Sequence, residues 1–199
     1  TVGGDLTLTS GAAAGITDNG NVTVGGNLVA TTNANSGVIN MDTLRVDGTV
    51  ALTTHGDGDA TIVNDDDINF ATSIVRGNLS ARATTNDITD TGTLTISGTS
   101  TFTTSQSNDD ITLGSVNVFT GAVALNTSGT TGNAEVNNGT TALIIAASTV
   151  GGNLTLTSGA AAGITDSDNV TVTGNLIATT NANSGVINMD TLRVDGTVA

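Results

Sequence analysis

The residues best suited to chemistry in this chain are carboxylates. Asp57, Asp59, Asp65, Asp66 and Asp67 crowd into one short segment, with His55 and Asn64 beside them. Hard cations take several oxygens from a flexible loop, so this segment is the Ca²⁺ candidate, weighed against a plain solvated acidic loop. Asp109 with Asp110, or Asp65 with Asp67, could also serve as the carboxylate pair of a glycosidase. The composition argues against that use. His55 is the only His, and Lys, Cys, Trp and Tyr are absent. No multi-His relay, thiolate metal centre or broad aromatic platform for a sugar can be built from such a set. The expectation is a protein that is not an enzyme, with no cofactor beyond the Ca²⁺ candidate. Four Arg against eighteen acids, a net charge of −14, also exclude a phosphate-binding surface and hence a nucleic-acid partner.

The elements that carry these acids follow from an internal repeat. Residues 1–51 return as residues 149–199 at an offset of 148, differing only at Asp5/Asn153, Asn19/Ser167, Gly20/Asp168, Gly25/Thr173 and Val29/Ile177. Residues 1–199 therefore read as one β-solenoid segment, with 1–148 a full long repeat and 149–199 the start of a second copy. The chain looks like a piece of something longer. A shorter period lies inside it, anchored on Val2, Val24, Val46, Val75, Ile96, Phe119, Val150, Val172 and Val194. Each anchor is followed two positions later by a turn glycine: Gly4, Gly26, Gly48, Gly77, Gly98, Gly121, Gly152, Gly174 and Gly196. A glycine fixed at that place implies positive φ or close backbone approach.

Around the anchors, aliphatic residues alternate with polar ones at period two, as in Leu6/Leu8, Leu28/Ala30 and Leu79/Ala81. That is strand patterning with one inward face, and no window sustains a helical stripe. Units of about 22 residues cannot bury a face alone and must stack on their own copies. The expected fold is all-β, a parallel β-helix. Six coils at the strand spacing would advance each long repeat by roughly 29 Å. Two anchor spacings are longer than the rest, Val46 to Val75 and Phe119 to Val150. Their extra residues, Thr54–Thr61 with the acidic stretch that follows and Ser128–Thr141, are expected as two loop insertions at one corner. The Asx residues after the turn glycines (Asp5, Asn27, Asn78, Asn153 and Asn175) suggest a partial side-chain amide ladder. Arg45, Arg76, Arg82 and Arg193 read as surface charges, with Asp47 or Asp195 as partners across neighbouring coils. Thr-x-Thr pairs such as Thr7/Thr9 raise an ice-binding face, which Val29, Ala51 and Arg82 interrupt. No apolar run approaches the roughly 20 residues of a membrane span.

The wording VGGNLTLTSGAAAGITDSDNVTVTGNL, with its recurring Val-x-Gly-Asn-Leu units, resembles the repeat regions of filamentous-haemagglutinin-like adhesins and giant repetitive surface proteins of Gram-negative bacteria. The resemblance implies a right-handed helix exported to the bacterial cell surface. There it would act as an extracellular shaft whose partners are other copies of the repeat, neighbouring cells or surface glycans. Its secretion domain and adhesive tip have no counterpart in these residues. The Gly56–Asp59 stretch is also similar to the glycine-aspartate nonapeptides of calcium-binding β-rolls, in one copy per long repeat. A polysaccharide-acting β-helix enzyme or phage tail-spike, and a self-assembling fibre, are the alternative readings.

Overall fold

A computed structural model describes all 199 residues. It holds strands and turns and no helix. The strands form two sheets, of 12 and 13 strands, in which neighbours pair in parallel and one full coil apart. The protein is a parallel β-solenoid. Along each strand, buried and outward residues alternate, and 38 apolar side chains form a single core between the sheets. All three Phe lie in that core, Phe102 meeting Phe70 and Phe119 edge-on at 6.3 and 5.9 Å. Stacked coils leave few choices for such strands, because each inner face finds apolar cover only from the opposite sheet and each N–H only from the coil beside it.

Register fixes the number of coils. In the first sheet Leu6 pairs with Leu28, Leu28 with Val50 and Val50 with Phe70; Ile68 pairs with Ile88, and the line runs on through Ile111 and Ala134 to Leu154. Seven steps therefore separate Leu6 from its copy Leu154, where the anchor glycines suggested six. At the strand spacing, one long repeat advances about 34 Å rather than about 29 Å. Two more steps lead from Leu154 through Leu176 to Val198, giving about nine turns in the chain.

The missing coil explains the two long spacings. Most turns have one broad strand on one sheet and, on the other, two short strands or a strand broken by a bulge. In the first turns the broad strands, Leu6–Ser10, Leu28–Asn35 and Thr49–His55, belong to the first sheet. The next broad strands, Ala60–Asn64, Leu79–Ala83, Ser100–Ser107 and Val123–Ser128, belong to the second. From Ala134–Asn137 onward, with Leu154–Ser158 and Leu176–Thr180, they return to the first. At each exchange two broad strands follow one another, and the anchor motif moves to the opposite corner. The stretches from Val46 to Val75 and from Phe119 to Val150 are thus each a turn and a half, with no insertion. The first expected loop runs into the strand Ala60–Asn64 and the second contains Ala134–Asn137, and both strands pair with a coil on each side.

Candidate functional site

The acidic segment is divided by a strand. Asp57 and Asp59 stand at the corner before Ala60–Asn64, and Asp65, Asp66 and Asp67 at the corner after it. At the rise of an extended strand, Asp59 and Asp65 are about 20 Å apart. The five do not converge, and no group of three metal-ligating side chains forms anywhere in the chain. Their oxygens have other partners. Asp59 accepts from the Asn78 amide at 2.6 Å, Asp65 from the Thr84 hydroxyl at 3.1 Å, and Asp66 from Asn86 at 2.6 Å and Arg45 at 3.4 Å. Burial, with the neighbouring Asp66 charge, raises the Asp67 pKa. Burial also raises that of Asp109, with help from Asp87, and its Oδ2 has no hydrogen-bond partner. Asp110 instead accepts from Asn133. His55 sits at a corner with Nδ1 2.6 Å from the Thr32 carbonyl. Arg45 and Arg193 pair with Asp47 and Asp195 inside one coil, not across coils; the cross-coil partner of Arg45 is Asp66.

The corner motifs act through the backbone. None of the nine turn glycines has positive φ. Close approach is what requires most of them: a Cβ on Gly48 would lie 2.6 Å from the Gly26 carbonyl, and one on Gly174 would lie 2.6 Å from that of Gly152. The Asx residues make no amide-on-amide stack. Each side-chain oxygen instead accepts the backbone N–H of the corner residue one coil on. Asp5 leads to Asn27 and Thr49; Asp59 leads to Asn78 and Thr99. Asp87 leads through Asp110, Asn133, Asn153 and Asn175 to Thr197. Every ladder starts at Asp and ends at Thr, because only an oxygen is needed to continue it and a Thr hydroxyl donates back to the oxygen below.

Buried polar residues mark the exchanges. Asn64 is fully buried, accepts from the Val46 N–H at 2.8 Å and donates to the Val46 carbonyl at 3.2 Å and to the Asp67 carbonyl. Asn138 does the same to Phe119, at 2.7 and 3.0 Å, and donates to Ala142. Each replaces the strand that would have stacked on a column of three anchors. The new column opens on Ser73 or Ser148, which accepts from Leu52 or Leu125 and donates to Ala71 or Ala146. Thr54 and Thr127 bind the residue after its first anchor, Arg76 N–H and Gly151 N–H, both at 2.9 Å. Sequence reading missed the exchange. The available signal was Asn64 and Asn138 on inward positions of otherwise apolar strands. A third device bends the broken faces: Asp166 Oδ2 accepts the Thr191 N–H and hydroxyl at 2.9 Å, and Asp18 holds Thr43 likewise. Burial alone would raise the Asp166 pKa, but the bonds from Thr191 and Asp190 outweigh it and hold the carboxyl below its usual range.

The site is thus a stacking device. No curated protein matches the chain, and no solved structure does. One family does, at residues 57–126 and 131–198, two units whose starting points lie half a long repeat apart. Those starting points are three and a half turns apart, so successive units are related by half a turn about the axis. With more than two thirds of its length matched, the chain belongs to the family described as Repeats of unknown function (DUF5649).

Proposed function

We propose that this chain is a shaft segment of a very long extracellular bacterial surface protein, holding cells to one another or to surfaces without catalysis. The observation that supports this most is the whole number of turns. A repeat of seven turns places its copies in the same rotational phase, so a tandem array is straight in register and each copy presents the same face. Stacking supplies the stiffness: the backbone N–H groups bond from coil to coil, and each buried aliphatic adds roughly 1.5–3 kcal/mol. Excess acid keeps neighbouring shafts soluble and apart. The likeness of the Val-x-Gly-Asn-Leu units to adhesin repeats supports the surface location.

Arrays of one, two and four copies of residues 1–148, imaged by electron microscopy, test the shaft. Rods that lengthen by about 34 Å per copy are expected; globular particles would refute it. Display of the four-copy array on a non-adherent bacterium tests attachment, with aggregation or surface binding above the undisplayed control as the expected result.

A further inference from the structure

The first exchange carries a cleft that the second lacks. Four successive coils line a pocket of about 360 Å³, whose walls include Asn21, Val22, Asp42, Arg45, Val63 and Asp65. It is the only pocket of the chain, and its size lies within the range of small-molecule sites, about 300–1,000 Å³. Its shape comes from the bulge between Met41 and Leu44, where Asp18 holds the Asp42 and Thr43 amides beside the flat strand Ala60–Asn64. Asp42 and Asp65 are exposed, the Asp65 carboxylate accepting only from the Thr84 hydroxyl, and Arg45 is held at one wall by Asp66.

The second exchange is an internal control. Half a long repeat further on, the same backbone device operates, with Asn138 in place of Asn64 and Ser148 in place of Ser73. There Val116 stands in the place of Thr43, and Gly139 in that of Asp65, with Val116 Cγ1 only 2.7 Å from where a Gly139 Cβ would lie. Ser115 replaces Asp42 and Val118 replaces Arg45. The exchange therefore forms without the cleft and without its charges, so folding does not require them. The second copy repeats the wall residues that it contains, as Asn169-Val170-Thr171 and Asp190-Thr191-Leu192-Arg193.

We propose that this cleft is a subsite for one hexose ring of a glycan. Carboxylates of Asp42 and Asp65 accept from neighbouring ring hydroxyls. The Arg45 guanidinium and Asn21 amide donate to ring oxygens, and Val22 with Val63 meets the apolar C–H face. Without an aromatic platform a single site is weak, with a Kd on the order of 1–10 mM. On the shaft reading, one such site recurs on the same side every seven turns, and avidity follows from the array.

Amide chemical shifts of the whole chain, titrated with the methyl glycosides of glucose, galactose, mannose and N-acetylglucosamine, test the subsite. Saturable shifts around residues 21–23, 42–45 and 63–65 are expected with at least one glycoside, with none around 93–95 and 115–118. Asp42→Asn with Asp65→Asn should weaken binding at least about tenfold, as loss of two charge-assisted hydrogen bonds does. Should that double variant unfold, Arg45→Gln at its exposed position gives the same readout. No saturable shift with any of the four sugars, unchanged binding in the variants, or a response to Ca²⁺ alone would overturn the proposal. The shaft reading would survive each of these, since rod length tests it separately.

Discussion

Asn64 and Asn138 show at the residue scale how a buried polar side chain can specify architecture. Each satisfies both backbone groups of an anchor that has no strand above it. Asn64→Leu leaves the Val46 N–H and carbonyl buried and unpaired, and is expected to cost about 2–5 kcal/mol in urea unfolding. Asn27→Ala, which removes one exposed acceptor, should cost about 1 kcal/mol. Asp67 makes the opposite case. Burial and Asp66 raise its pKa, so the folded state disfavours its charge. Stability linked to this group is fully present below the unfolded value, about 3.9, and is lost as pH rises through the higher folded value. Asp67→Asn is therefore expected to melt above the parent protein at neutral pH, with the gap closing below about pH 4. A gap that persisted in acid would contradict that cause.

At the scale of elements, the corner glycines separate steric need from conformational freedom. A Cβ on Gly98 would lie 2.6 Å from the Gly77 carbonyl, whereas one on Gly4 meets nothing within 4 Å. Gly98→Ala should cost about 1–3 kcal/mol by forcing two coils apart. Gly4→Ala should stay within about 0.5 kcal/mol. Equal losses in thermal melts of the two variants would show that backbone freedom, not spacing, is what the motif supplies. The same corners explain what the sequence concealed. Alternation at Leu28/Ala30 or Leu79/Ala81 made the strands and the inward face legible, and the repeated glycine made the stacking legible. Which sheet a strand joins was not legible, because the Val-x-Gly corner has the same chemistry at both ends of a coil. The long spacing from Val46 to Val75 then looks like an ordinary coil with a loop, although Ala60, Ile62, Ile68 and Phe70 alternate through it as strand residues. For the acidic segment, closeness along the chain suggested closeness in space; a short strand, Ala60–Asn64, holds the two halves apart.

For the whole molecule the decisive property is a count. Seven coils per long repeat mean that every repeat returns to its starting face, while each half-repeat ends on the opposite one. Two exchanges per repeat are what convert six anchors into seven turns. The chain contains no cysteine, so a pair of spin labels can be placed without background. Thr7→Cys and Thr155→Cys put labels on copies of one outward position, one long repeat apart on the same sheet. Double electron–electron resonance on this pair should give a single distance of about 34 Å, seven strand spacings along the axis. A distance of about 29 Å would mean six coils with looped insertions and would contradict the face exchange.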